Sequence, residues 1–181
     1  SVKVDTTAPS VDNFTMSDTE LKIGDNATVT LVFSEAVCAD SSVCGSNVFS
    51  SADITSDNGS LNNTMSSSQA NDNKTIWTGT FTPTADTEGA SNTLSLTANS
   101  YTDIVGNTGP ARQTANYVVD TRAPTVSSIV ISSATGIQNN LLNVGDNVSV
   151  TATFSEAVIV DNSSGNPTLT TLVVGSDNRT A

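Results

Sequence analysis

The sequence predicts an all-β chain built from two tandem copies of one small domain. Three observations predict it. The stretch Val4-Asp5-Thr6-Thr7-Ala8-Pro9-Ser10-Val11 returns as Val119-Asp120-Thr121-Arg122-Ala123-Pro124-Thr125-Val126, and Phe33-Ser34-Glu35-Ala36-Val37 returns unchanged as Phe154-Ser155-Glu156-Ala157-Val158. Between them, Ile23-Gly24-Asp25-Asn26 is echoed by Val144-Gly145-Asp146-Asn147. The third observation is composition: Ser, Thr, Asn and Asp dominate, Val and Leu are interspersed, and such a chain favours strands and turns over helices. The period of about 115 to 120 residues far exceeds a solenoid repeat and matches a complete small domain with its own core. The first copy is expected over residues 1–119 and the N-terminal part of a second over 120–181.

Apolar alternation of period two places the strands. A weak strand is expected over Val11 to Met16. Ala27, Val29, Leu31 and Phe33 then share one face, opposite Thr28 and Thr30, and Val148, Val150, Ala152 and Phe154 repeat the pattern. Weak strands follow near Asp53 to Thr55 and Gly59 to Met65. Trp77, Gly79 and Phe81 share a face, as do Leu94, Leu96 and Ala98, and then Ala115, Tyr117 and Val119. Trp77 sits inside an alternating strand, which makes it a core residue rather than a sugar-stacking platform. About seven strands in about 115 residues is the size of an immunoglobulin-like Greek-key sandwich. Turn signals separate the strands at Ile23-Gly24-Asp25-Asn26, Ser56-Asp57-Asn58-Gly59, Asn71-Asp72-Asn73, Pro83-Thr84-Ala85-Asp86 and Gly106-Asn107. The second copy reaches only three or four strands, so either the natural chain continues past Ala181 or a strand from a neighbouring molecule completes the fold.

Charge narrows the function classes. Six basic against 18 acidic residues give a net charge of -12, which repels nucleic acid and anionic lipid and suits divalent cations. The chain has no histidine, which excludes a His-based triad, a His-ligated zinc site and a histidine pH switch. No apolar run reaches the ~20 residues of a bilayer span and no charged-then-apolar leader opens the sequence. A soluble piece of a longer chain is the expectation. Cys38 and Cys44 lie six apart in a polar loop with no four-ligand metal pattern, which leaves a local disulfide in an oxidising compartment or two free thiols.

Two of the four glutamates, Glu35 and Glu156, occupy matching positions, expected just past the second strand of each copy. In a seven-strand sandwich the loops after alternate strands return to the pole where the chain enters. Asp5 in the entering linker, Glu35, and Asp103 with Asn107 in the loop Tyr101-Thr102-Asp103-Ile104-Val105-Gly106-Asn107 are therefore expected to converge. Carboxylates brought together near neutral pH repel one another unless a cation sits between them. Calcium accepts six to eight oxygens with tolerant geometry, magnesium wants a stricter octahedron, and zinc or copper want nitrogen or sulfur. The expected cofactor is Ca2+. Asp120 and Glu156 form the repeat-equivalent pair, with Asp86 or Glu88 as the candidate further ligand. The other loop acids, Asp25, Asp57, Asp72 and Asp146, read as ordinary turn formers. Glu35 and Asp103 as a glycosidase pair lack aromatic subsites and repeat in a tandem neighbour, so no enzymatic activity is expected. Asn-X-Ser/Thr triplets occur at about chance frequency in such a composition and leave glycosylation open.

The ordered set Val4-Asp5-Thr6-Thr7-Ala8-Pro9, Ile23-Gly24-Asp25-Asn26-Ala27-Thr28-Val29, Phe33-Ser34-Glu35-Ala36-Val37, Trp77-Thr78-Gly79-Thr80-Phe81-Thr82-Pro83, Tyr101-Thr102-Asp103-Ile104-Val105-Gly106-Asn107 and Tyr117-Val118-Val119-Asp120 resembles the bacterial Ig-like repeats of large surface adhesins, of biofilm-associated and RTX type. The likeness covers residues 1 to about 120, and in the second copy it holds only through Val158. It implies a β-sandwich extender strung in series outside the cell at the bacterial surface, serving adhesion or biofilm formation and stiffened by calcium between modules. Its partners would be the neighbouring Ig-like domains of the same chain. In such repeats the linker aspartate, the glutamate of the Ser-Glu pair and the Thr-Asp-x-x-Gly-Asn aspartate resemble metal ligands, mapping here onto Asp5, Glu35 and Asp103 and onto Asp120 and Glu156. The segment from Cys38 to Cys44 departs from the pattern. A subunit of an extracellular filament, assembled from identical chains by strand complementation, is the alternative.

Overall fold

The computed structural model describes residues 4–45, 47–62, 65–67, 75–138, 141–161, 163–165, 171–174 and 177–180. The expected turn at Asn71, Asp72 and Asn73 lies outside the described residues. The chain divides into two compact units, Ser1–Ala123 and Pro124–Ala181.

The first unit contains β1 (Val11–Met16), β2 (Glu20–Lys22), β3 (Ala27–Phe33), a single helical turn α1 (Ser41–Cys44) and a 3-10 turn over Ser51–Asp53. It continues through β4 (Ile54–Ser56), β5 (Gly59–Leu61), β6 (Ser66–Ser67), β7 (Ile76–Pro83), β8 (Glu88–Asn92), β9 (Leu94–Leu96), β10 (Arg112–Gln113) and β11 (Tyr117–Asp120). One sheet runs β1-β3-β7-β5, with β6 also on β7. The other layer consists of the sheets β10-β9-β4 and β2-β11-β8, brought together where β8 and β9 follow one another across Thr93. The result is an all-β, Ig-like sandwich.

Alternation makes β3 the centre of the core. Ala27, Val29, Leu31 and Phe33 are buried while Thr28, Thr30 and Val32 face outward, and β-branched residues suit that pleated, half-solvated face. Across the ladder, small meets large: Ala27 pairs with Phe81, Val29 with Gly79 and Leu31 with Trp77. Phe14 of β1 lies opposite Leu31 on the other side. From the second layer Leu94, Leu96, Tyr117 and Val119 close the interior, and each such side chain fully buried contributes about 1.5–3 kcal/mol. Strand β11 pairs antiparallel with β8 and parallel with β2, placing Leu21 beside Val119.

Three expectations need correction. Glu35 follows the third strand, because Glu20–Lys22 forms a short extra one. Ala98 is exposed rather than buried: the chain leaves β9 in a turn in which Asn99 has a φ of 61° and its N–H donates to the Gly109 carbonyl. Ala115 is exposed too. There the Asn116 side chain accepts from the Asn92 N–H and donates to the Ala90 carbonyl, interrupting the alternation before Tyr117.

Beneath the pole where the chain enters lies an aromatic floor. Phe33 meets Phe49 edge-on at 5.2 Å and Tyr101 at 5.1 Å, and Phe49 meets Trp77 at 4.9 Å. Such pairs contribute about 0.5–1.5 kcal/mol beyond area burial. Tyr101 packs over Gly109 so closely that a Cβ there would lie 2.2 Å from the ring. Its hydroxyl donates to the Pro110 carbonyl at 3.0 Å.

In the second unit β12 (Val126–Thr135) pairs antiparallel with β13 (Asn147–Phe154), setting Ile131 opposite Val150 and Ile129 opposite Ala152. Strands β14 (Thr171–Val174) and β15 (Asp177–Thr180) form a second hairpin.

Candidate metal centre

Three segments far apart in sequence meet above the aromatic floor. The linker brings Asp5, the end of β3 brings Glu35, and the loop between β9 and β10 brings Asp103. One carboxylate oxygen from each lies within 4.8 Å of the others. Asp5 is exposed, Glu35 half-buried and Asp103 buried. Asn107 joins them: its side-chain amide donates to Asp103 Oδ2 at 2.8 Å and to the Thr7 carbonyl at 3.0 Å, with the Asp5 carbonyl at 3.4 Å.

Asp103 is fixed by its own loop. Its Oδ1 accepts from the backbone N–H groups of Val105, Gly106 and Asn107 at 2.9, 2.7 and 2.8 Å. Gly106 sits at φ 103°, a conformation that glycine adopts without a Cβ clash, and this turns the chain around the carboxylate. Burial pulls the Asp103 carboxyl upward, but the hydrogen bonds from the Asn107 side chain and from these backbone groups prevail, holding it below its ordinary value. Glu35 behaves oppositely. Burial, and then the charges of Asp5 and Asp103, push its carboxyl above its ordinary value of 4.5. Among the described residues the salt bridges belong to Arg122, so no basic side chain offsets this cluster.

The linker is held by a clasp that sequence reasoning missed. The Ser10 N–H donates to Ser34 Oγ at 2.9 Å, and the Ser34 N–H returns to the Ser10 carbonyl at 3.0 Å. In the second unit Thr125 and Ser155 make the same exchange, both bonds at 2.9 Å. The signal was present, because the serine repeats with the glutamate in Phe-Ser-Glu-Ala-Val. The linker aspartates are also equivalent: Asp5 accepts from the Thr7 N–H at 3.0 Å and Asp120 from the Arg122 N–H at 3.3 Å.

Asp120 ends β11, with Glu88 as its cross-strand partner, and Glu156 follows β13 in the second unit. Arg122 approaches Asp86 at 3.4 Å and Glu88 at 3.3 Å. These exposed pairs are worth at most about 1 kcal/mol, yet they give Asp86 and Glu88 a cationic partner of the chain's own.

The remaining loop acids accept from backbone N–H groups, Asp25 and Asp146 within their own turns but Asp57 from a residue 36 positions away. Asp25 accepts from the Lys22 N–H, Asp57 from the Thr93 N–H and Asp146 from the Asn143 N–H; Asp72 lies outside the described residues. Cys38 and Cys44 form a disulfide. Trp77 is buried in the core.

The cluster's chemistry is all oxygen. The three carboxylates are hard donors, suited to calcium, while Asn107, expected as a further ligand, turns its amide N–H rather than its carbonyl toward Asp103. Among the described residues no helix is long and apolar enough to cross a membrane.

Searches of curated proteins and of solved structures return no match. A family model does: the bacterial Ig-like domain matches residues 5–119, running from the linker aspartate through both loops of the cluster to the last strand of the first unit. With that span, the sandwich and the repeated linker in agreement, the chain belongs to the bacterial Ig-like domain family.

Proposed function

We propose that this chain is a non-enzymatic extender of a bacterial surface adhesin, working outside the cell and made rigid by calcium. Domains of this family are generally structural rather than catalytic and suggest a surface or extender module. The observation that carries the calcium reading is the convergence of Asp5, Glu35 and Asp103 within 4.8 Å without a basic side chain among the described residues. A divalent cation there removes the repulsion between them and ties the entering linker to the end of β3 and to the Asp103 loop. By sequence equivalence the reading extends to Asp120 and Glu156. Binding of this kind stabilises the folded state with the logarithm of cation concentration above the dissociation constant. Extracellular calcium modules place that constant on the order of 0.1 to 1 mM.

The test is a thermal melt in excess chelator, in millimolar calcium and in millimolar magnesium. A calcium-specific rise in midpoint that Glu35→Ala abolishes supports the reading. An unchanged midpoint overturns it and leaves the acids as turn formers.

A second reading, a filament built from identical chains, is favoured by the solvent exposure of Ile129, Ile131, Val150 and Phe154 on β12 and β13. Light scattering after size exclusion decides it: a monomer at high concentration excludes the filament.

A further inference from the structure

The disulfide stands against the proposed calcium site, and the contacts between them are specific. Glu35 leads directly into Ala36, Val37 and Cys38. Val37 is fully buried and forms an isolated antiparallel bridge with Asp103 itself. The Cys38 N–H donates to the Thr102 carbonyl at 2.8 Å, and the Cys38 carbonyl accepts from the Phe49 N–H at 2.8 Å. Thr102 Oγ1 donates to the Asn47 carbonyl at 3.3 Å. The Cys44 sulfur lies 3.9 Å from the Asp103 carbonyl oxygen. The segment closed by the Cys38–Cys44 bond therefore grips the backbone of Thr102 and Asp103 from one side. On the other side the Val105, Gly106 and Asn107 amides grip the Asp103 carboxylate.

We infer that the Cys38–Cys44 bridge is a positioning element for the cation site, so that the redox state of the two sulfurs sets calcium affinity. This rests on the calcium reading of Asp5, Glu35 and Asp103. The physical argument is entropic. With the bridge closed, residues 39–43 are confined to a short loop and the wall beside Asp103 is fixed before a cation arrives. Opening it returns backbone freedom to that loop, and cation binding must then order it again.

The chemistry needs only a dithiol reductant. One of its thiolates attacks a protein sulfur and breaks the Cys38–Cys44 bond, and its second thiolate displaces the protein sulfur from the mixed disulfide. The reductant leaves as a cyclic disulfide, and two electrons and two protons remain with Cys38 and Cys44 as thiols. Cys38 is buried and Cys44 half-buried, so Cys44 is the more open of the two sulfurs to attack. Coupling of this kind is reciprocal, so bound calcium makes the bridge harder to reduce by the same factor that reduction weakens calcium.

The experiment uses the 181-residue chain, oxidised and reduced with dithiothreitol, titrated calorimetrically with calcium chloride. The double variant Cys38→Ser/Cys44→Ser is measured without reductant alongside. Backbone amide exchange is followed in chelator for Val105, Gly106 and Asn107 and, as a fold control, for Val29 and Leu31. The expected result is calcium binding about tenfold weaker in the reduced and double-serine forms, with faster exchange at the three loop amides and unchanged exchange at Val29 and Leu31. Equal calcium affinity in all forms overturns the inference and leaves the calcium reading standing. Faster exchange at every amide also overturns it, since the bridge then holds the whole domain rather than the site. No calcium binding by the oxidised chain overturns both readings.

Discussion

Ser10 and Ser34 exchange two hydrogen bonds, the Ser10 N–H to Ser34 Oγ and the Ser34 N–H to the Ser10 carbonyl, and Thr125 and Ser155 repeat the exchange in the second unit. The pair fixes the linker immediately after its buried proline, Pro9, and does so one residue before Glu35. The serine of the repeated Ser-Glu pair therefore has a structural role that is separate from the glutamate's.

Ser34→Ala removes the acceptor for the Ser10 N–H and should cost about 1 kcal/mol, read as a lower urea midpoint with an unchanged slope. It should also weaken calcium binding, because Asp5 is carried by the same linker. A loss of stability with unchanged calcium affinity would separate the clasp from the site.

The pH dependence of the cation-free chain follows from two carboxyls shifted in opposite directions. Glu35, raised above 4.5 in the fold, contributes stability that is fully present below 4.5 and lost as pH rises through its folded value. Asp103, lowered from 3.8, contributes stability present above 3.8 and lost as pH falls through its folded value. In chelator, acidification from neutrality toward 4.5 should therefore relieve the Glu35 term before further acid removes the Asp103 term. Glu35→Gln should remove the first effect and raise stability in chelator at pH 7, while abolishing the calcium response. Melts across pH 3 to 7, with and without the substitution, check the sign.

Both tyrosines of the chain are buried, and burial pushes Tyr101 and Tyr117 up to about 12. Since the chain has no other tyrosine, phenolate absorbance should stay low through pH 10 and rise only near 12 or on unfolding. In the unfolded chain these groups ionise near 10, so their contribution to stability is present below 10 and lost as pH rises toward 12. Absorbance rising near pH 10 in a folded chain would contradict the burial of both rings.

Gly109→Ala places a Cβ 2.2 Å from the Tyr101 ring. Overpacking of this kind should cost about 1–3 kcal/mol, read by denaturant unfolding. Because Tyr101 begins the loop that carries Asp103, the variant should also bind calcium more weakly.

Much of the fold is written locally. Ala27 to Phe33 and Trp77 to Phe81 alternate cleanly, and each is a central strand whose inward face is decided by hydrophobicity alone. Strand β8 carries no such signal: Glu88-Gly89-Ala90-Ser91-Asn92 has no apolar stripe. It exists because β11 pairs with it and because Asn92, buried, has partners for its whole amide. Asn92 donates to the Gly89 and Tyr117 carbonyls and accepts from Asn58. Those partners are set by tertiary structure and cannot be read from spacing. The convergence of Asp5, Glu35 and Asp103 was legible because it follows from which loops return to one pole. The hold of Arg122 on Asp86 and Glu88 was not, since it depends on where one flexible side chain settles.

The parallel pairing of β2 with β11 bears on how the module meets tension. Glu20, Leu21 and Lys22 lie beside Val118, Val119 and Asp120 in register. A pull transmitted through the entering linker passes first along β1, which β3 holds, and then draws β2 backward along its own direction, while a pull on the exit draws β11 forward. The two strands are thus asked to slide past one another, and their hydrogen bonds are loaded together in shear rather than opened one at a time. A module loaded along its length is served by that arrangement, because parting β2 from β11 requires several bonds to break at once.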